Sequence, residues 1–150
     1  MEIVTKKYLK SYAMLLEEIE GEEERLKALQ SKINGSSIGM GDGMPHKAPD
    51  SDKIATQVCI IVDLKEKLQK LKKEEINTRS NIESALDKYV DLPQERRVIR
   101  LKYIDRMDWI EIQQILFGKR KDYYENEEKY RRLTFRIHGN ALAKLNPHNE

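Results

Sequence analysis

Apolar residues step along the first part of the chain as Tyr8, Tyr12, Leu15, Ile19, Leu26, Leu29 and Ile33, at intervals alternating four and three except where Glu22 takes a seam position. This heptad pattern predicts a helix from about Val4 to Ile33, with glutamate and lysine on its outer faces and Gly21 as a weak point costing about 1 kcal/mol relative to alanine. A second run, Ile54, Val58, Ile61, Leu64, Leu68, Leu71, Ile82, Leu86 and Tyr89, predicts a longer helix capped by Asp50 or Ser51. Between them, residues 34–50 (NGSSIGMGDGMPHKAPD) concentrate glycine and proline and predict a loop. The two helices can fold back as an antiparallel coiled-coil hairpin over residues 1–90. Past Leu71 the pattern loosens, which predicts a connector toward the rest of the chain. A lone helix pair buries little surface, so its seam predicts self-association, with a dimer expected first.

Residues 91–145 read differently. Asp91 can cap a helix with Pro93 near its first position, and Leu92, Val98, Ile99, Leu101 and Ile104 supply its apolar face. Asp108 and Glu111 stand at capping-box spacing ahead of Trp109, Ile110, Ile112, Ile115, Leu116 and Phe117, and Gly118 ends that second helix. Leu133, Ile137, Ala141 and Leu145 then recur every four residues on a third helix, while Arg131, Arg132, Thr134 and Arg136 fall largely off that stripe. Residues 146–150 form a short tail. The predicted class is therefore all-α, a long-helix hairpin followed by a three-helix domain at 91–145.

Charge sharpens this division. The net charge is only +2, yet residues 91–145 carry 13 Lys and Arg against nine Asp and Glu, whereas residues 1–90 carry 15 against 16. Positive charge on the three-helix segment is the sign that phosphate binding requires, and its small size implies weak affinity per monomer. No stretch approaches the roughly 20 apolar residues that span a bilayer, and no signal-peptide pattern opens the chain, so a cytoplasmic protein without a membrane partner is expected. The lone cysteine, Cys59, cannot form an internal disulfide and reads as a small buried residue.

The segments LPQERRVIRLKYIDRMDWIEIQQIL and RRLTFRIHGNALAKL resemble the sigma-70 region 4-like helix-turn-helix, and more closely the small phage transcriptional regulators of the RinA and ArpU type that carry it. Arg136, Ile137, His138, Gly139, Ala141 and Leu142 match a run common in that group, and the glycine-rich segment followed by a helix is similar too. The resemblance implies a helix-turn-helix that binds double-stranded DNA in a bacterial host cell, alone or with RNA polymerase. Here GKRKDYYENEEKY intervenes between Phe117 and Arg131, so either the turn is enlarged or the third helix begins earlier. The expected groove-facing set is Arg131, Arg132, Thr134, Phe135 and Arg136, since arginine pairs bidentately with guanine and Phe135 can touch a thymine methyl. Lys119, Arg120, Lys121 and Lys129 are expected to hold phosphates.

Other chemistry finds little footing. His46, His138 and His148 do not pair at metal-ligand spacing, no nucleophile elbow occurs, and the glycine-rich loop lacks the strand and the Gly-Lys-Ser/Thr ending of a phosphate-binding loop. No metal, no cofactor and no enzymatic activity are expected. A DNA-packaging protein of the small-terminase kind, binding DNA as an oligomer, and a protein-binding adaptor are the alternatives to a transcriptional regulator.

Overall fold

The computed structural model describes residues 3–37 and 51–146. The fold is all-helical, and no strand occurs among the described residues. Its elements are α1 (Lys6–Ser37), α2 (Ser51–Tyr89), α3 (Pro93–Ile99), a π-helical turn (Arg100–Ile104) that continues α3, α4 (Trp109–Phe117) and α5 (Glu127–Leu145). Thr5 starts α1 by accepting the Tyr8 amide through Oγ1 at 3.1 Å. The helix runs past the predicted end at Ile33 and takes up residues 34–37 of the expected loop. The rest of that loop, with His46 and the possible cap Asp50, lies outside the described residues, as does His148.

Two compact units emerge, Leu15–Glu75 and the combination of Met1–Met14 with Ile76–Glu150. In the first unit, Leu15, Ile19 and Leu68 form a small apolar cluster, with Leu26 and Leu71 against it. Lys67 bridges Glu22 at 3.2 Å and Glu18 at 3.8 Å, so the glutamate in the seam position faces a cation on α2. Such half-exposed pairs set register more than they add stability. Val58, expected on the seam, is exposed, as are Ile60 and Val62. Cys59 is exposed rather than buried, because the seam of α2 passes through Ile61 and Leu64 and turns residue 59 outward.

The second unit carries most of the core. Here the end of α2 is no loose connector: Ile82, Ala85, Leu86 and Val90 are buried, as are Val4, Leu9 and Tyr12 near the start of the chain. Asn81 Nδ2 donates to the Tyr8 hydroxyl at 3.1 Å, and Arg100 reaches Glu83 through Nε at 2.9 Å. The Glu83 carboxylate raises the Arg100 pKa and holds the guanidinium charged. The predicted boundary near residue 90 therefore falls inside one compact unit. Val98, Ile112, Phe117, Tyr123, Tyr130 and Ile137 make one apolar cluster joining α3, α4, the 118–126 turn and α5.

Two local expectations at α3 change. Leu92, not Asp91, is the N-cap, and no side chain caps the helix. The Asp91 carboxylate instead accepts from Lys144 Nζ at 2.7 Å, and Lys144 also pairs at 2.8 Å with Glu95, whose side chain is buried. Lys144 is held in place by the buried Glu95 carboxylate, which would otherwise sit uncompensated, and from there it also pairs with the exposed Asp91. Leu92 itself is exposed, and so are Ile110 and Ile115 of the predicted apolar set on α4.

After the π-helical turn, Arg106 adopts φ 56, in the left-handed region, and the Met107 amide bonds back to the Leu101 carbonyl at 3.0 Å. The chain is thereby redirected into α4. Asp108 Oδ1 accepts from the Glu111 amide at 2.8 Å, and Glu111 Oε2 accepts from the Asp108 amide at 3.1 Å, which is the predicted capping box. Replacing Asp108 by alanine is expected to lower stability by about 1 kcal/mol, measured by urea unfolding, because the Glu111 amide in the first turn of α4 loses its side-chain acceptor. A change below a few tenths would show that the box contributes nothing.

Candidate nucleic-acid interface

The face that α5 presents outward is decided by what its other face buries. Tyr130, Thr134, Ile137, His138, Ala141 and Leu145 recur at three- and four-residue steps and are all buried. Arg131, Arg132, Phe135 and Arg136 lie between those steps and are exposed. The structure withdraws Thr134 from the expected groove-facing set. It is 2% exposed, and its hydroxyl donates to the Tyr130 carbonyl at 2.8 Å. It stands four residues after Tyr130 and three before Ile137, on the buried stripe itself.

Both alternatives for the 118–130 segment hold in part. The turn is enlarged, spanning 118–126, and α5 begins at Glu127, four residues ahead of Arg131. Short backbone bonds fold the turn, with the Arg120 amide on the Phe117 carbonyl at 3.0 Å and the Tyr123 amide on the Arg120 carbonyl at 3.1 Å. Tyr123 is buried and packs near Tyr130. The Tyr130 hydroxyl donates to Asp122 Oδ1 at 2.5 Å, a bond that lowers the Asp122 pKa and raises that of Tyr130. Gln113 Nε2 donates to the Glu127 carbonyl at 3.0 Å and fixes α4 against the first turn of α5. The position of α5 is thus set from several sides.

Lys119, Arg120 and Lys121 all lie exposed on this turn, and Lys129 is exposed on the first turn of α5. The Arg120 guanidinium stands 5.6 Å from the Phe117 ring centre, and Lys129 Nζ stands 5.4 Å from that of Tyr130. These contacts let long side chains cover aromatic rings while their charges remain in water. Arg132 meets Glu128 at 3.7 Å, an exposed pair one helical turn apart that leaves the guanidinium accessible.

Phe135, 40% exposed, packs edge-on against Trp109 with ring centres 4.9 Å apart, and the Arg131 guanidinium lies 5.8 Å from its ring. A surface cleft of about 360 Å³ opens between α4 and α5 beside them, lined by Trp109, Ile110, Gln114, Glu128, Arg131 and Phe135 among others. Trp109, Ile110 and Phe135 supply its apolar lining, and Gln114, Arg131 and the carboxylates of Glu127 and Glu128 its polar groups. Lys102 Nζ stands 4.7 Å over the Trp109 ring, a contact that no periodicity in the sequence signals.

His138 lies behind this surface. Its Nε2 is 2.8 Å from the Tyr103 hydroxyl, which donates to it in the Nδ1-protonated tautomer, and its ring packs 4.8 Å from Trp109. Burial above all, with the charges of Lys6 and Lys102 adding to it, lowers the His138 pKa from 6.5 to about 4. The ring is therefore neutral at physiological pH and belongs to the core. Among the described residues no group of three or more His, Cys, Asp or Glu side chains could hold a metal ion, and no helix is long and apolar enough to cross a membrane. Comparison of the chain with protein families, with characterised proteins and with solved structures finds no match.

The His138 shift makes a pH prediction. The unfolded chain takes up a proton near pH 6.5 and the fold resists it down to about pH 4, so this contribution is complete above pH 6.5 and lost as pH falls toward 4. Its size is on the order of 2 kcal/mol, less than the full shift would give, since solvent screens the two lysines. Thermal unfolding of wild type and His138→Gln between pH 7 and 4 checks it: the variant should lose distinctly less stability over that range, and parallel curves would contradict the assignment.

Proposed function

We propose that this chain is a phage-type DNA-binding transcriptional regulator in which α3, α4 and α5 act as a sigma-70 region 4-like helix-turn-helix. The observation that carries the reading is the placement of Arg131, Arg132, Phe135 and Arg136 together on the exposed face of a helix whose opposite face is core. In this reading α5 enters the major groove, Arg131 and Arg136 pair with base edges, and Lys119, Arg120, Lys121 and Lys129 hold phosphates. The resemblance to RinA- and ArpU-type regulators supports it and implies a bacterial host cytoplasm, with RNA polymerase as a possible second partner.

Residues 15–75 are proposed as an antiparallel coiled-coil hairpin for self-association or partner contact. Support comes from the exposed Val58, Ile60 and Val62 on α2, since a helix stretch apolar on several sides is usually covered. A dimer doubles the modest cationic charge of one monomer and fits a two-fold operator.

Light-scattering mass, followed by enrichment of fragmented bacterial and phage DNA on the full chain, tests the reading. A dimer that enriches a discrete promoter-proximal site is expected. At that site Arg131→Ala and Arg136→Ala should each weaken binding by about 1–3 kcal/mol with unchanged melting temperature. A ring of many subunits would favour DNA packaging, and no enrichment at any salt would favour a protein-binding adaptor.

A further inference from the structure

We infer that the DNA-contacting face extends beyond α5 across Trp109 to Lys102, whose ammonium holds a backbone phosphate. This rests on the DNA-binding reading above and adds to it a phosphate contact from the π-helical turn. Four side chains form a continuous ladder of two packed rings with a cation at each end. Lys102 Nζ lies 4.7 Å from the Trp109 ring centre, that ring lies 4.9 Å from Phe135, and the Arg131 guanidinium lies 5.8 Å from Phe135. The two charges are therefore at most about 15 Å apart, a span within which one cation can enter a major groove ~12 Å wide while the other stands at its phosphate rim.

The backbone explains how Lys102 comes to lie there. It follows the buried Val98 by four residues, so a regular α-helix would direct it toward the same core. The π-helical turn Arg100–Ile104 changes that register, and the half-buried Lys102 stem emerges with its ammonium over Trp109. Among the described residues Lys102 makes no ion pair. The nearby carboxylates of Asp108 and Glu111 are engaged with each other's backbone amides in the capping box. A lysine, as a compact and strongly hydrated point charge, suits a phosphate oxygen better than the paired acceptors of a base.

A phosphate contact and a base contact differ in what their loss does. The test measures binding of the full chain to a duplex of random sequence and to the enriched site across a salt series, for wild type, Lys102→Gln, Lys102→Arg and Arg131→Ala. Lys102→Gln should weaken both duplexes by a similar factor and reduce the slope of log affinity against log salt by about one, while Lys102→Arg keeps the slope. Arg131→Ala should instead erode the preference for the enriched site. If Lys102→Gln also melts earlier, Lys102→Arg against Lys102→Met, which keeps only the apolar stem, makes the same comparison. An unchanged slope in a variant that has lost the charge overturns the inference while leaving the DNA-binding reading intact. Absence of salt-dependent binding by the wild type overturns that reading, and the role of Lys102 with it.

Discussion

The burial of one face of α5 is the constraint on which the rest of the C-terminal structure depends. Tyr130, Ile137, Ala141 and Leu145 enter a core assembled from helices on several sides, and their spacing leaves no freedom in which residues point outward. A fully buried side chain of this size contributes roughly 1.5–3 kcal/mol, far more than any surface ion pair, so packing sets the rotation of the helix and charge follows. Arg131, Arg132 and Arg136 are displayed because the apolar stripe is satisfied elsewhere. Lys144, at the other end of α5, anchors the helix to Glu95 and Asp91.

Around α5, the neighbouring elements are fixed by specific local chemistry. The Asp108–Glu111 capping box sets where α4 begins, Gln113 ties α4 to the Glu127 carbonyl, and Tyr130 holds Asp122 in the enlarged turn. Trp109, the first residue of α4, consequently reaches Phe135 and His138 on α5. A rigid, aromatic-backed platform carrying exposed cations is the arrangement that a proposed DNA reader needs, because groups held in position lose little freedom on binding.

Much of this was legible in the sequence, and the exceptions share a cause. The capping box, the proline start of α3, the end of α4 at Gly118 and the core stripe of α5 depend on neighbours within four residues, and pattern alone locates them. Asp91 looked like a cap because the sequence does not show Lys144, 53 residues away, competing for its carboxylate. Thr134 reads as a surface residue by its polarity, yet it lies four residues after the buried Tyr130 on the same stripe. The exposure of Val58 and Cys59, and the buried end of α2, depend on which partner each turn of a long helix meets, and a single helical period does not encode that. The ladder from Lys102 to Arg131 spans three elements and leaves no periodic trace.

The most direct test of the account is a titration of the isotope-labelled full chain with duplex DNA carrying its enriched site, followed by amide and indole chemical shifts. The account predicts that the largest changes map to Arg131, Arg132, Phe135 and Arg136 and to the Trp109 indole, with the 118–121 turn next and the 15–75 unit nearly silent. Changes centred on residues 15–75, or no changes at low salt, would contradict it.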